Sequence, residues 1–226
     1  MSKLLVFDVD GTLLDSWGGY EKVVMDYSHD RGLPRPCFET IKKGYGHAHD
    51  HDFGWGVDRA EQWQHMLETF RIAERHEMSG DPRHTPELFD GVGESLVHLK
   101  DLGHTLAIIT SKAEAPLLHL LEHHKIGRLF SAHRAINDVA RRGEKEKPAP
   151  DMLRSVMREL NFAPEETVMV GDTTMDVRMG RAAEAHTIGV TWGTHPREYL
   201  LDAGAHHIVE TAFDDVVRTV KGIFGS

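Results

Sequence analysis

An α/β fold, with a parallel sheet flanked by helices and a separate helical insertion, follows from three observations on the sequence. Short aliphatic runs alternate with helix-length amphipathic segments. Several of those runs end directly in carboxylates or hydroxyls. One long interval, Ser16 to about Phe89, holds no run of this kind.

The runs are Leu4 to Val9, Thr105 to Thr110, Thr167 to Val170 and Thr187 to Val190. Each is short, aliphatic or β-branched and bounded by polar or turn residues, as a strand buried on both faces must be. Between them Gly91 to Leu102, Pro116 to His123, Asp151 to Leu160 and Met175 to Ala183 carry apolar residues near helical spacing. Parallel strands need crossover connections of about a dozen residues, so strand–helix alternation predicts a Rossmann-like, doubly wound parallel sheet. In the exceptional interval, Tyr20 to Arg31 and Asp58 to Met78 read as helices, and the return segment Asp81 to Phe89 contains Pro82 and Pro86. The expected organisation is a Rossmann-like core of residues 1–15 and 90–226 with an inserted all-helical cap of residues 16–89.

Composition narrows the classes. With 226 residues, 40% hydrophobic and 27% charged, the chain can bury a real core and is neither disordered nor a fibrous repeat. Cys37 is the single cysteine, which excludes an internal disulfide and a thiolate cluster and favours a reducing, cytoplasmic location. The uncharged run after Lys3 ends at Asp8, far short of a signal core or the roughly 20 apolar residues of a membrane span. The net charge is −10, and the densest basic run, Arg141 to Lys147, is interrupted by Glu144 and Glu146. Neither nucleic acid nor membrane is therefore an expected partner. Small anions and metal ions remain.

The chemistry gathers at strand ends. The first strand closes on Asp8-Val9-Asp10-Gly11-Thr12; residues two apart on a strand point the same way, so the two carboxylates can converge where open α/β sheets hold ligands, and Gly11 permits a sharp turn. Alone, the same pair reads equally as a turn with an exposed charge. The second strand closes on Thr110-Ser111, which suit an anion or a helix cap. Lys147 precedes Pro148 and a helix; it is placed either to neutralise a phosphate or to belong to a solvated charge run. The third strand closes on Gly171-Asp172-Thr173-Thr174-Met175-Asp176, where Asp176 can back a metal ligand or favour a helix dipole. Carboxylates crowded together repel, so Asp8, Asp10 and Asp172 at one edge call for a hard, oxygen-seeking cation such as Mg²⁺. A carboxylate nucleophile, a second carboxyl group, a lysine, hydroxyls and Mg²⁺ are the parts of phosphoryl transfer through an aspartyl-phosphate.

In this order DVDGT, IITS, KP and GDTTMD resemble the four motifs of the haloacid dehalogenase-like hydrolase superfamily, and of its Mg²⁺-dependent phosphatases in particular. The helical insertion and KPAPDML resemble its phosphoglycolate phosphatase-like and β-phosphoglucomutase-like branch. The resemblance implies that Asp8 attacks phosphorus and that Asp10 protonates the leaving oxygen and then activates water. It implies Mg²⁺ on Asp8, the Asp10 carbonyl and Asp172. Thr110, Lys147 and the amides near Gly11 and Ser111 would hold phosphoryl oxygens, with Asp176 supporting the metal or orienting Lys147. Dehalogenation is disfavoured by the presence of Asp10. The implied substrate is a small phosphomonoester, phosphoglycolate or a sugar phosphate, handled by a monomer or small homo-oligomer. A β-phosphoglucomutase-like phosphomutase shares all four motifs, and a non-catalytic phosphate-binding module is disfavoured by the intact Asp8 and Asp10 pair.

Specificity falls to the cap, whose expected substrate loop, Lys42 to His51, contains Tyr45, His47 and His49. This loop departs from the shorter, more apolar loop of phosphoglycolate phosphatases. Its histidines fit a solvated loop, contact with a polar or anionic substrate, or a transition metal.

Overall fold

The computed structural model describes residues 2–44 and 53–225. In chain order its elements are β1 (Leu4–Phe7), β2 (Leu14–Asp15), α1 (Trp17–Asp30), α2 (Phe38–Gly44), α3 (Arg59–Glu77), β3 (Glu87–Leu88), α4 (Val92–Asp101), β4 (Thr105–Ile109) and α5 (Glu114–His123). They continue with β5 (Phe130–Arg134), α6 (Ile136–Arg142), α7 (Asp151–Leu160), β6 (Thr167–Gly171), α8 (Thr174–Ala182), β7 (His186–Val190), α9 (Arg197–Asp202), β8 (His207–Val209) and α10 (Phe213–Phe224). The chain forms two compact units, Met1–Asp15 with Leu88–Ser226, and Ser16–Glu87.

The first unit is a Rossmann-like α/β core. Its six strands run parallel in the order β5-β4-β1-β6-β7-β8. β1 lies between β4 and β6, with Leu4 opposite both Thr105 and Thr167. Strand periodicity divides the core into two layers. Leu5, Phe7, Leu106, Ile108, Val168 and Val170 face Leu96, Leu99, Leu117, Val216 and Val220 of α4, α5 and α10. Leu4, Val6, Ala107, Ile109 and Met169 face Met152, Val156 and Met179 of α7 and α8. Burying each such side chain contributes roughly 1.5–3 kcal/mol, and residues buried on both faces are why the central strands read as unbroken aliphatic runs.

The second unit is helical. α3 starts at Asp58, whose carboxylate accepts from the Glu61 N–H at 2.9 Å, the usual way to satisfy a free helix-end amide. Tyr20, Val24, Ile41, Phe53, Trp55 and Met66 form its core. Two polar contacts lie within it: the Trp55 indole donates to Ser28 Oγ at 2.9 Å, and Tyr27 Oη lies 2.8 Å from His65 Nδ1. No helix of the described residues is long and apolar enough to cross a membrane.

The four predicted strands are present, and the first ends two residues earlier than expected, at Phe7. Edge strands β5 and β8 and helices α2, α6, α9 and α10 add to the predicted set.

Candidate active site

Most pieces of the site lie just beyond the carboxyl ends of strands in the core unit, and Lys147 joins them from the loop between α6 and α7. After β1, the Asp8 N–H continues the ladder by donating to Val170 O at 2.9 Å. The chain then turns tightly, the N–H groups of Thr12, Leu13 and Leu14 all donating to Val9 O. Gly11 occupies the left-handed region at φ +78°, and a Cβ there would lie 2.3 Å from Asp172 Oδ2. Only glycine meets both demands.

Asp172, just after β6, is fully buried and held on three sides. Thr12 Oγ1 donates to its Oδ1 at 3.0 Å, the Thr194 N–H donates to its Oδ2 at 2.8 Å, and the His195 N–H donates to its carbonyl at 3.3 Å. Gly193 packs against the same carboxylate: a Cβ there would be 2.3 Å from both Asp172 Oδ2 and Gly11 O. His195 Nδ1 accepts from the Thr174 N–H at 3.0 Å, tying this loop to the start of α8.

Asp176 closes a capping box at the head of α8. Its Oδ2 accepts from Thr173 N at 3.1 Å and Thr173 Oγ1 at 2.6 Å, and Thr173 Oγ1 in turn faces the Asp176 N–H at 3.4 Å. Its Oδ1 accepts from Lys147 Nζ at 2.6 Å, and the same ammonium donates to Asp8 Oδ1 at 2.6 Å. Asp176 thus starts a helix and orients Lys147. Lys147 is buried, whereas Lys145, two residues earlier, is exposed.

Thr110 is buried, and its Oγ1 accepts from the Lys112 N–H at 3.1 Å, which leaves the hydroxyl proton free to donate elsewhere. Ser111 is exposed. The Gly11 N–H donates to Leu14 O at 2.9 Å, and the absence of a Cβ on Gly11 leaves room for the Asp172 carboxylate. Tyr45, His47 and His49 lie outside the described residues.

Asp8, Asp172 and Asp176 bring carboxylate oxygens within 4.8 Å of one another. Burial drives the Asp8 carboxyl well above the ordinary carboxylate range; Lys147 opposes this, while Asp176 and Asp172 add to it. Asp172 is pushed up to about 6 by burial and by Asp176, against the hydrogen bonds from Thr194 and Thr12. Burial disfavours the Lys147 ammonium, but Asp176 and Asp8 outweigh it and raise its pKa.

Sequence reasoning missed Lys112, whose Nζ lies 3.3 Å from Asp10 Oδ1, and the supports Thr12, Gly193, Thr194 and His195. The last three were detectable, because the segment Trp192 to His195 follows the fourth predicted strand at the same sheet edge.

The model of haloacid dehalogenase-like hydrolases matches residues 5–190. The chain belongs to this family. It is 32% identical to "Probable phosphatase IndB" of Dickeya dadantii across 99% of this chain and 95% of that one. It is 28% identical to a phosphoglycolate phosphatase of Aliivibrio fischeri, covering 89% of each. A solved haloacid dehalogenase-like hydrolase from Bacteroides fragilis has the same fold, with a TM-score of 0.81 at 23% identity over 96% of this chain and 100% of the other. Within the haloacid dehalogenase-like hydrolases the chain sits in the phosphoglycolate phosphatase-like branch and is an enzyme, a phosphoric monoester hydrolase.

Proposed function

We propose that this hydrolase is a Mg²⁺-dependent phosphatase that cleaves a small phosphomonoester through an aspartyl-phosphate on Asp8. One observation carries the reading: Lys147 bridges Asp8 and Asp176 beside a third buried carboxylate, Asp172. One lysine among three buried carboxylates leaves an excess of negative charge, and the raised pKa values of Asp8 and Asp172 register it. That donor set fits a hard divalent cation. Asp8 and Asp172 belong to the carboxylate group close enough to share one cation, and with the Asp10 carbonyl they are the groups that the family resemblance implies would hold it, while Asp176 meets Lys147 and Thr173. Bound there, Mg²⁺ supplies Lewis-acid charge neutralisation for the phosphoryl oxygens.

The chain's residues account for the remaining steps. An Asp8 oxygen bonds to phosphorus as the ester P–O bond breaks; the bonding pair stays on the leaving oxygen, which takes the proton of Asp10. Water then attacks phosphorus, gives a proton to Asp10, and the departing Asp8 carboxylate is restored. The balance is one ester and one water converted to one alcohol and one phosphate. Lys147 offsets charge on the transferred group, and the free hydroxyl proton of Thr110 is available to one of its oxygens. The helical unit of residues 16–87 is read as the cap that selects the alcohol portion and excludes bulk water.

Phosphate release from a panel containing phosphoglycolate and several sugar phosphates, with Mg²⁺ and with EDTA, tests the proposal. The expected result is release that requires Mg²⁺ and prefers one ester. No release from any ester, with isomerisation of a phosphosugar in the presence of a bisphosphate, would replace the phosphatase with a phosphomutase.

A further inference from the structure

Two lysines are buried among the aspartates at this sheet edge, and each accompanies a different carboxylate. Lys147 contacts Asp8 and Asp176, while Lys112 contacts Asp10. We propose that Lys112 is a positioning residue that holds the Asp10 carboxyl apart from the Asp8, Asp172 and Asp176 cluster and so keeps it available for proton exchange with the ester oxygen. This inference rests on the phosphatase reading and identifies what sets Asp10 in its role.

Burial gives the first argument. The Lys112 side chain is only 6% exposed, and an ammonium taken out of water needs a carboxylate close by. Asp10 Oδ1 is likewise buried and accepts no hydrogen bond. Lys112 Nζ stands 3.3 Å from that oxygen, an ion pair without hydrogen-bond alignment. The lysine therefore holds the Asp10 carboxyl in place without tying up that oxygen in a hydrogen bond.

The backbone gives the second. Lys112 N–H donates to Thr110 Oγ1 at 3.1 Å, and Lys112 O accepts from the Ile136 N–H at 3.1 Å. The residue is thus fixed on both sides, to its own strand end and to the start of α6. A long, flexible side chain anchored this way loses less freedom in holding one position. On the other side, Asp10 precedes Gly11, whose conformation is fixed by its close approach to Asp172.

The third argument is the partition of carboxylates. Among the described residues, the group with oxygens close enough to share one cation contains Asp8, Asp172 and Asp176 but not Asp10. Without the charge of Lys112, the Asp10 carboxyl would be free to turn toward water or to compete for Lys147. Either movement removes it from proton transfer and leaves the nucleophile in place.

Leaving-group dependence isolates that effect. An alkyl ester needs a proton on its departing oxygen, whereas p-nitrophenolate departs without one. Single-turnover release of the alcohol or phenol, with Mg²⁺ present, reads the first step alone for the wild type, Lys112→Met and Lys112→Arg. Lys112→Met should lower the rate on phosphoglycolate, or on whichever alkyl ester the panel prefers, by about 10²-fold. The loss on p-nitrophenyl phosphate should be under about tenfold, KM should change little, and Lys112→Arg should recover most of the alkyl-ester rate. Equal losses on both esters, a change confined to KM, or no change at all would overturn the proposal. Should Lys112→Met fail to fold by circular dichroism, Lys112→Gln and Lys112→Arg give the same comparison. A wild type inactive on every ester would instead sink the phosphatase reading, and this inference with it.

Discussion

Lys147 Nζ sits 2.6 Å from Asp8 Oδ1 although 139 residues separate them in the chain. The contact joins the end of the central strand to the loop before α7. It places an ammonium on Asp8 Oδ1, and in the proposed reaction the other oxygen, Oδ2, attacks phosphorus. The proposed reaction depends on that asymmetry.

Asp8→Asn keeps the size of the side chain and removes the nucleophile. Steady-state phosphate release should fall by at least about 10³-fold. The fold should persist, because burial already disfavours the charged form of Asp8; unfolding in urea with EDTA present should differ from wild type by less than about 1.5 kcal/mol. Retained turnover would remove Asp8 from its assigned role.

Lys147→Met leaves the Asp8 and Asp176 carboxylates buried without their shared cation. Truncating one partner of such a buried pair costs about 3–5 kcal/mol, measurable by urea denaturation in EDTA at pH 7. The loss should shrink toward pH 5. Without the lysine the already raised pKa of Asp8 rises further, so acid relieves the variant by protonating its carboxylates. A destabilisation independent of pH would show that Lys147 acts through packing alone.

Gly193→Ala tests close packing instead of charge. Its added Cβ would lie 2.3 Å from Asp172 Oδ2 and from Gly11 O, so one of them must move. A cost of about 1–3 kcal/mol is expected for such overpacking, together with more than tenfold lower phosphate release. An alanine variant of wild-type activity would mean that Asp172 tolerates displacement.

His104 directly precedes β4, at the amino end of the sheet and opposite in strand direction to the site aspartates. It is buried, and its Nδ1 accepts from the Lys3 N–H at 3.3 Å. Burial, helped by the Lys3 charge, lowers its pKa below the usual 6.5. The folded state therefore prefers the neutral ring. The contribution is complete above pH 6.5, declines as pH falls through that value, and is gone below the folded-state pKa. The difference in Tm between wild type and His104→Gln should accordingly be largest near pH 8 and narrow toward pH 5. A constant difference across this range would contradict it.

Legibility in the sequence followed burial. β1, β4, β6 and β7 occupy the middle of the sheet and are aliphatic on both faces, so each announced itself as a run. β5, with sequence FSAHR, and β8, with HIV, are at the edges and only partly buried; one face suffices to hold them, and polar residues dilute the pattern. Asp8, Asp10, Thr110, Lys147, Asp172 and Asp176 were readable because each adjoins a strand end or a proline-marked entry to a helix. Lys112 was not, since a lysine after Thr-Ser looks like surface, and only the tertiary fold makes it a buried partner of Asp10. Asp176 was legible as a choice between backing a metal ligand and favouring a helix dipole; one of its oxygens closes the α8 capping box and the other meets Lys147, a contact that only the tertiary fold supplies.

The engagement of Asp172 by Thr194 also sets an order of events. A carboxylate completed by an amide 22 residues downstream, beside an Asp8 that waits for Lys147, is not finished until strands far apart in the chain have docked. Such non-local closure is the slow part of folding. Recovery of phosphate release after dilution from denaturant should therefore lag the return of helical signal, which makes turnover itself a reporter of the final assembly of the sheet edge.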